Sequence, residues 1–147
     1  MKSSEFTHYR KKLEKTQEAI AQLLGVSVKA VRSYEQGWRT IPAHVQRQIM
    51  YLTSRKEEIR EPQKPCWVIK KCKETVRQDC PAWEFQTGTL CWFLYGTLCS
   101  SGDHKNWKEK IKMCKHCSAF PGSLRTKSRK SPKKAAVKPK NENCINQ

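Results

Sequence analysis

The sequence predicts a mainly α N-terminal bundle of four or five helices, then a small cysteine-rich, loop-rich α+β domain, then a disordered basic tail. Three observations carry this reading. Residues 1–60 contain no cysteine and repeat apolar side chains at helical spacing. Residues 66–120 hold seven of the eight cysteines and four of the five tryptophans. Residues 121–147 are rich in lysine, serine and proline and nearly devoid of large apolar side chains, so they cannot bury a core. The boundaries are therefore 1–60, a short proline-bearing linker at 61–65, 66–120, and 121–147.

The helices of the first zone follow from their punctuation. Phe6, Tyr9 and Leu13 recur on one face of a helix around Ser4 to Glu14. Thr16 is an N-cap residue, with Gln17 and Glu18 in the first turn behind it. Ile20, Leu23 and Leu24 give that helix an apolar face, with Ala21 beside it, and Gly25 supplies the left-handed residue that ends it. Ser27 caps a further helix with apolar Val28, Val31 and Tyr34, closed by Gly37. Only Gly25-Val26 separates the two, which packs them at a steep angle and leaves the second projecting outward. Pro42 opens another helix through Val45, Ile49 and Leu52.

The chain of 147 residues carries a formal charge of +17. The excess is spread over all three zones, at +6, +4 and +7 for residues 1–60, 61–120 and 121–147. Such a balance favours a polyanionic partner, because each phosphate neutralised releases condensed counterions. No stretch approaches the ~20 apolar residues that span a bilayer, and the first ten residues lack the apolar stretch of a signal peptide, so a cytoplasmic location without a membrane partner is expected. Thiols stay reduced there, and eight cysteines then point to metal or redox chemistry before structural disulfides.

Residues 16–27, followed by Val31-Arg32-Ser33-Tyr34-Glu35-Gln36-Gly37, resemble the phage-repressor and Cro type of helix-turn-helix, over residues 4–56. The resemblance implies double-stranded DNA as partner. It places the phosphate- or base-contacting glutamine at Gln17, and the reading face of the recognition helix at Ser27, Val28, Lys29, Arg32 and Ser33. The side-chain chemistry agrees: Lys29 and Arg32 can reach guanine edges or phosphates, and Val28 a thymine methyl. Arg39, just past the recognition helix, is a candidate phosphate contact. Many members have glutamine or asparagine where this chain has Val28 and Ser33, which leaves the operator open. The resemblance also implies an ion pair between Arg10 of the first helix and Glu35 of the recognition helix, and a homodimer is compatible with it.

The cysteines follow the pattern Cys66-x5-Cys72-x7-Cys80-x10-Cys91-x7-Cys99-x14-Cys114-x2-Cys117. All seven are candidate metal ligands. Cys114 and Cys117, at the end of a helix from Trp107 to Lys115, have the short spacing of a metal knuckle, and the rest of their site must come from far along the chain. Zinc and an iron–sulfur cluster both take four such ligands, and spacing leaves the choice between them open. A single tetrahedral ion would gather at least four sulfurs within roughly 4 Å of one another. His104 and His116 are further donors, and Cys144 stands alone in the tail. The residues Cys66-Trp67, Cys72, Cys80-Pro81-Ala82-Trp83, Gly88, Cys91-Trp92, Gly96-Thr97, Cys99 and Cys114-x2-Cys117 with Phe120 are similar to the cysteine-rich two-CW domain. That resemblance implies a sensory role without naming the signal.

Basic side chains crowd the tail between Arg125 and Lys140, and Ser131-Pro132-Lys133-Lys134 resembles the minor-groove contacts of linker-histone tails. The tail reads as an electrostatic arm on the DNA backbone. No nucleophile–base pair, phosphate-binding glycine loop or paired carboxylates suggest an enzyme. The expected function is a transcriptional regulator whose cysteine-rich domain binds a metal or cluster and senses metal or redox state. The competing readings are a DNA-binding adaptor with purely structural zinc, and a thiol redox enzyme built on Cys114-Lys115-His116-Cys117.

Overall fold

The computed structural model describes residues 1–61, 63–99 and 106–125. Four helices form the N-terminal bundle: α1 (Ser3–Lys12), α2 (Gln17–Leu24), α3 (Val28–Gln36) and α4 (Ala43–Arg60). Their ends follow the sequence signals. The side chain of Thr16 accepts from the Ala19 amide and that of Ser27 from the Ala30 amide, so each cap satisfies an amide the helix leaves unpaired. Gly25 and Gly37 close α2 and α3 at φ of 63° and 78°, where a β-carbon would be strained. Phe6, Tyr9, Ile20, Leu24, Val31, Tyr34, Val45 and Ile49 form the core between them. Leu23 is a correction: it is half exposed, and Ala21 takes the buried place beside Ile20 and Leu24.

The cysteine-bearing segment is built from short turns. These are α5 (Cys66–Ile69), α6 (Glu74–Arg77), α7 (Pro81–Glu84), a 3-10 segment at Gly88–Phe93 kinked at Leu90, and α8 (Trp107–Cys114). The β component expected here has no counterpart among the described residues, which contain no strand. Aromatic packing orders the turns instead. Trp92 is fully buried and meets Trp107, Phe120 and Phe93 at ring-centroid distances of 6.2, 6.1 and 5.8 Å. Trp67 stands edge-on to Trp83 at 5.0 Å. Gly88 lies so close beneath Trp67 and Pro65 that a β-carbon there would sit 2.5–2.8 Å from them.

The two segments share one core across the proline-bearing linker. Trp92, Trp107, Ile111, Phe120 and Leu124 belong to the same hydrophobic cluster as Phe6, Tyr9 and Ile49. Polar contacts pin the seam to α1 and α4. The Lys115 ammonium donates to Glu5 at 2.7 Å, the buried Tyr9 hydroxyl to the Leu124 carbonyl at 2.7 Å, and the Trp107 indole to Gln46 at 3.3 Å. Arg47 of α4 stacks over Phe93 at 4.5 Å and donates to its carbonyl. The boundary of the tail moves accordingly. Residues 121–125 include a 3-10 turn, Gly122–Leu124, whose Leu124 is completely buried. The rest of the expected tail, with Cys144, lies outside the described residues, as does His104.

Candidate functional site

The N-terminal half of α3 presents one face to the core and the other to solvent. Ala30, Val31 and Tyr34 face the core, so the helical period turns Lys29 and Arg32 outward. Ser27, Lys29, Arg32 and Arg39 are exposed, while Val28, Ser33 and Gln17 are partly covered. Ser33 donates its hydroxyl to the Lys29 carbonyl within the helix.

The Arg10–Glu35 pair forms as the resemblance implies. Arg10 Nε and Nη2 donate to the two Glu35 oxygens at 2.6 and 3.2 Å, with only 15% and 10% of the two side chains exposed. Gln17 joins it: its Nε2 donates to Glu35 at 2.7 Å, and its Oε1 accepts from Arg32 Nε at 3.4 Å. Arg32 also lies 3.7 Å from Glu18. Burial pushes the Glu35 carboxyl up, but hydrogen bonds from Arg10 and Gln17 outweigh it, and its pKa falls below the ordinary value. This network ties α1, α2 and α3 together and holds the Gln17 and Arg32 side chains in place. Trp38 was missed by sequence reasoning. It is 77% exposed, between Gly37 and Arg39, and its position directly after a helix-ending glycine was the available signal.

All seven cysteines of residues 66–120 line one cavity of about 220 Å³, and none is in a disulfide. Trp67, Trp83, Trp92 and Phe120 share its wall, with Lys70 and Arg77. Among the described residues, no aspartate or glutamate lines it. The cysteines arrive from α5, α7's N-terminus, the 3-10 segment, and α8 with the turn behind it, which is why spacings from two to fourteen residues can converge. The neighbouring Cys91 thiol lowers Cys66 to about 7, and Cys66 and burial together raise Cys91. Burial also raises Cys114, against the opposing charge of Lys110. The tight knot of four sulfurs expected for a single ion is not present: among the described residues, no three Cys, His, Asp or Glu side chains are placed to hold one metal ion. The thiols are spread around a cavity wider than one ion. His116 is exposed and held to the Lys112 carbonyl.

Lys110 is the residue in this region that sequence reasoning missed. It is 1% exposed, and its ammonium donates to Thr97 Oγ1 at 3.1 Å, which in turn lies 3.7 Å from Cys99 Sγ. Its helix spacing from Cys114, four residues on, was the only sequence clue to its place.

No helix of the described residues is long and apolar enough to cross a membrane. Neither a curated protein nor a solved structure matches the chain. A family model described as Helix-turn-helix matches residues 8–43, from the second half of α1 through α2 and α3 to the start of α4.

Proposed function

We propose that the chain is a transcriptional regulator that binds double-stranded DNA with sequence preference, reading the major groove with α3. The observation that carries this is the exposure of Ser27, Lys29 and Arg32 at the start of α3, within the matched unit. Cations at that face suit guanine edges and phosphates, and the whole-chain charge of +17 supplies the non-specific attraction. A homodimer on a two-fold operator is the usual geometry for such a unit. The test is selection from a random duplex library by the purified chain, followed by binding of the selected site with Lys29→Ala and Arg32→Ala. Failure of any sequence to be enriched would sink the reading.

The cavity supports a second element of the same function: a metal centre in the cysteine-rich segment, through which the regulator senses metal or redox state. Its residues fit such a centre. Seven soft thiols line one space, and among the described residues no carboxylate lines it and the fully buried Trp92 Nε1–H has no acceptor. The alternative of an adaptor with passive zinc uses the same ligands. It is separated from sensing by whether oxidation or metal loss changes affinity for the selected site. A dithiol enzyme at Cys114 and Cys117 has no support comparable to the shared cavity.

A further inference from the structure

We propose that the thiol-lined cavity holds one iron–sulfur cluster, ligated by Cys66, Cys91, Cys114 and Cys117, with the buried Lys110 ammonium as its counter-charge. The proposal rests on the metal-centre reading above and names the centre.

The first argument is size. A zinc ion would draw four sulfurs to ~2.3 Å of one point, hence within about 4 Å of each other. The thiols instead line a space of about 220 Å³, and among the described residues no three donors are placed to hold one metal ion. A cluster spreads its thiolates over the outside of an iron–sulfide core, and so matches a wider ring. Cys66, Cys91, Cys114 and Cys117 all line that space, the last two from the end of α8 and the turn behind it.

Charge is the second argument. Lys110 is buried and donates to Thr97, which lines the cavity together with Lys70 and Arg77, and no carboxylate of the described residues lies within ion-pair distance of it. A buried ammonium is costly unless an anion answers it. An oxidised two-iron or four-iron cluster with four thiolates is a net dianion, which answers it. The third argument is hydrogen bonding. Trp92 Nε1 and Arg77 Nε are buried N–H groups without protein acceptors, and both residues line the cavity. Sulfide and thiolate sulfur accept such bonds, which also tune a cluster's potential.

Assembly balances without an added oxidant. Two ferric ions with two sulfides, or two ferric and two ferrous ions with four sulfides, form a core of charge +2. Each ligating thiol releases its proton to solvent as its iron–sulfur bond forms.

The test is anaerobic purification of the full chain from iron-supplied cells, with metal and acid-labile sulfide counted. The expected result is a brown protein with iron and sulfide in equal number, two or four of each per chain. The colour should bleach with dithionite, disappear in Cys114→Ser and persist in Cys144→Ser. Lys110→Met, with helicity and iron content checked, should shift the cluster potential to more negative values, because a nearby cation stabilises the reduced form. Lys110→Gln, which keeps a hydrogen bond to Thr97, should do the same. A colourless protein with bound zinc would overturn the cluster and leave the metal-centre reading standing. A metal-free protein whose thiols all react in the native state would overturn both. An unchanged potential in both Lys110 variants would overturn the counter-charge.

Discussion

Glu35→Gln tests the reasoning about the helix-turn-helix most directly, because it changes a charge and almost no volume. In the native protein Glu35 Oε2 receives both Arg10 Nη2 and Gln17 Nε2, while Oε1 receives Arg10 Nε. A glutamine has one acceptor oxygen. Whichever way its amide is turned, its own N–H₂ faces a donor. Arg10, 15% exposed, also loses its counter-charge. Breaking one partner of a buried ion pair costs about 3–5 kcal/mol, and incomplete burial together with the remaining bond from Arg10 to the Lys15 carbonyl lowers this to about 2–3 kcal/mol. For a chain of this size that is a fall of roughly 4–12 °C in melting temperature.

The pH dependence gives an independent check. The folded Glu35 carboxyl titrates below its ordinary value of 4.5, so its stabilisation is complete above that value and is lost as the pH falls through the depressed one. The variant should lack this part of the acid slope. Thermal unfolding followed by far-ultraviolet circular dichroism, at neutral pH and in steps into the acid range, measures both. The double variant Arg10→Met, Glu35→Leu should recover most of the loss at neutral pH, since apolar packing can replace a buried pair. A melting temperature for Glu35→Gln within about 1 °C of the parent, or an acid slope identical to it, would refute the account.

Further outcomes follow from the same structure. Lys29→Ala and Arg32→Ala should each weaken binding to a selected operator by about 1–3 kcal/mol in fluorescence anisotropy with unchanged melting, since both are exposed and the Arg32–Glu18 pair is a surface pair of little worth. Gly88→Ala should cost about 1–3 kcal/mol in denaturant titration and raise the reactivity of Cys66 toward thiol reagents, because the added carbon displaces Trp67 and Pro65. Chains ending at residue 125 and at residue 120 should differ. The first should keep its stability but bind DNA with a flatter salt dependence, having lost seven of the tail's basic residues. The second should lose about 2–4 kcal/mol, because Leu124 leaves its buried site and the Tyr9 hydroxyl loses its acceptor.

The sequence disclosed the bundle and left the cysteine segment half hidden, for a physical reason. Helix ends in the bundle are set by local rules: Thr16, Ser27, Gly25 and Gly37 act within four residues of themselves, and each occupies its expected place. The Arg10–Glu35 pair was legible through a family resemblance, and Gln17's bond to it only through coordinates. Between Cys66 and Phe120 the order comes from contacts such as Trp92 with Trp107 and Phe120, which have no periodicity. Four-residue helices there carry too little amphipathic signal to tell them from loop or strand. The convergence of seven cysteines is a property of the whole chain path and not of any one spacing. Leu124 shows the same limit from the other side, since a lone leucine in a lysine- and serine-rich stretch reads as tail until its partner Tyr9, more than a hundred residues away, is in view.

Docking of the cysteine segment bears on how the two sites could speak to each other. Its hydrogen bonds to the bundle fall on α1 and α4. Within α1, Glu5, Tyr9 and Lys12 meet Lys115, Leu124 and Ser123, while Arg10 grips Glu35 of α3. Tyr9 and Arg10 are adjacent, so one turn of α1 is fastened on one side to the chain that follows the Cys114–Cys117 knuckle and on the other to the helix that presents Lys29 and Arg32. Acid weakens both fastenings together, since Glu5, like Glu35, titrates below its ordinary value: burial pushes it up, and the bond from Lys115 helps to outweigh that.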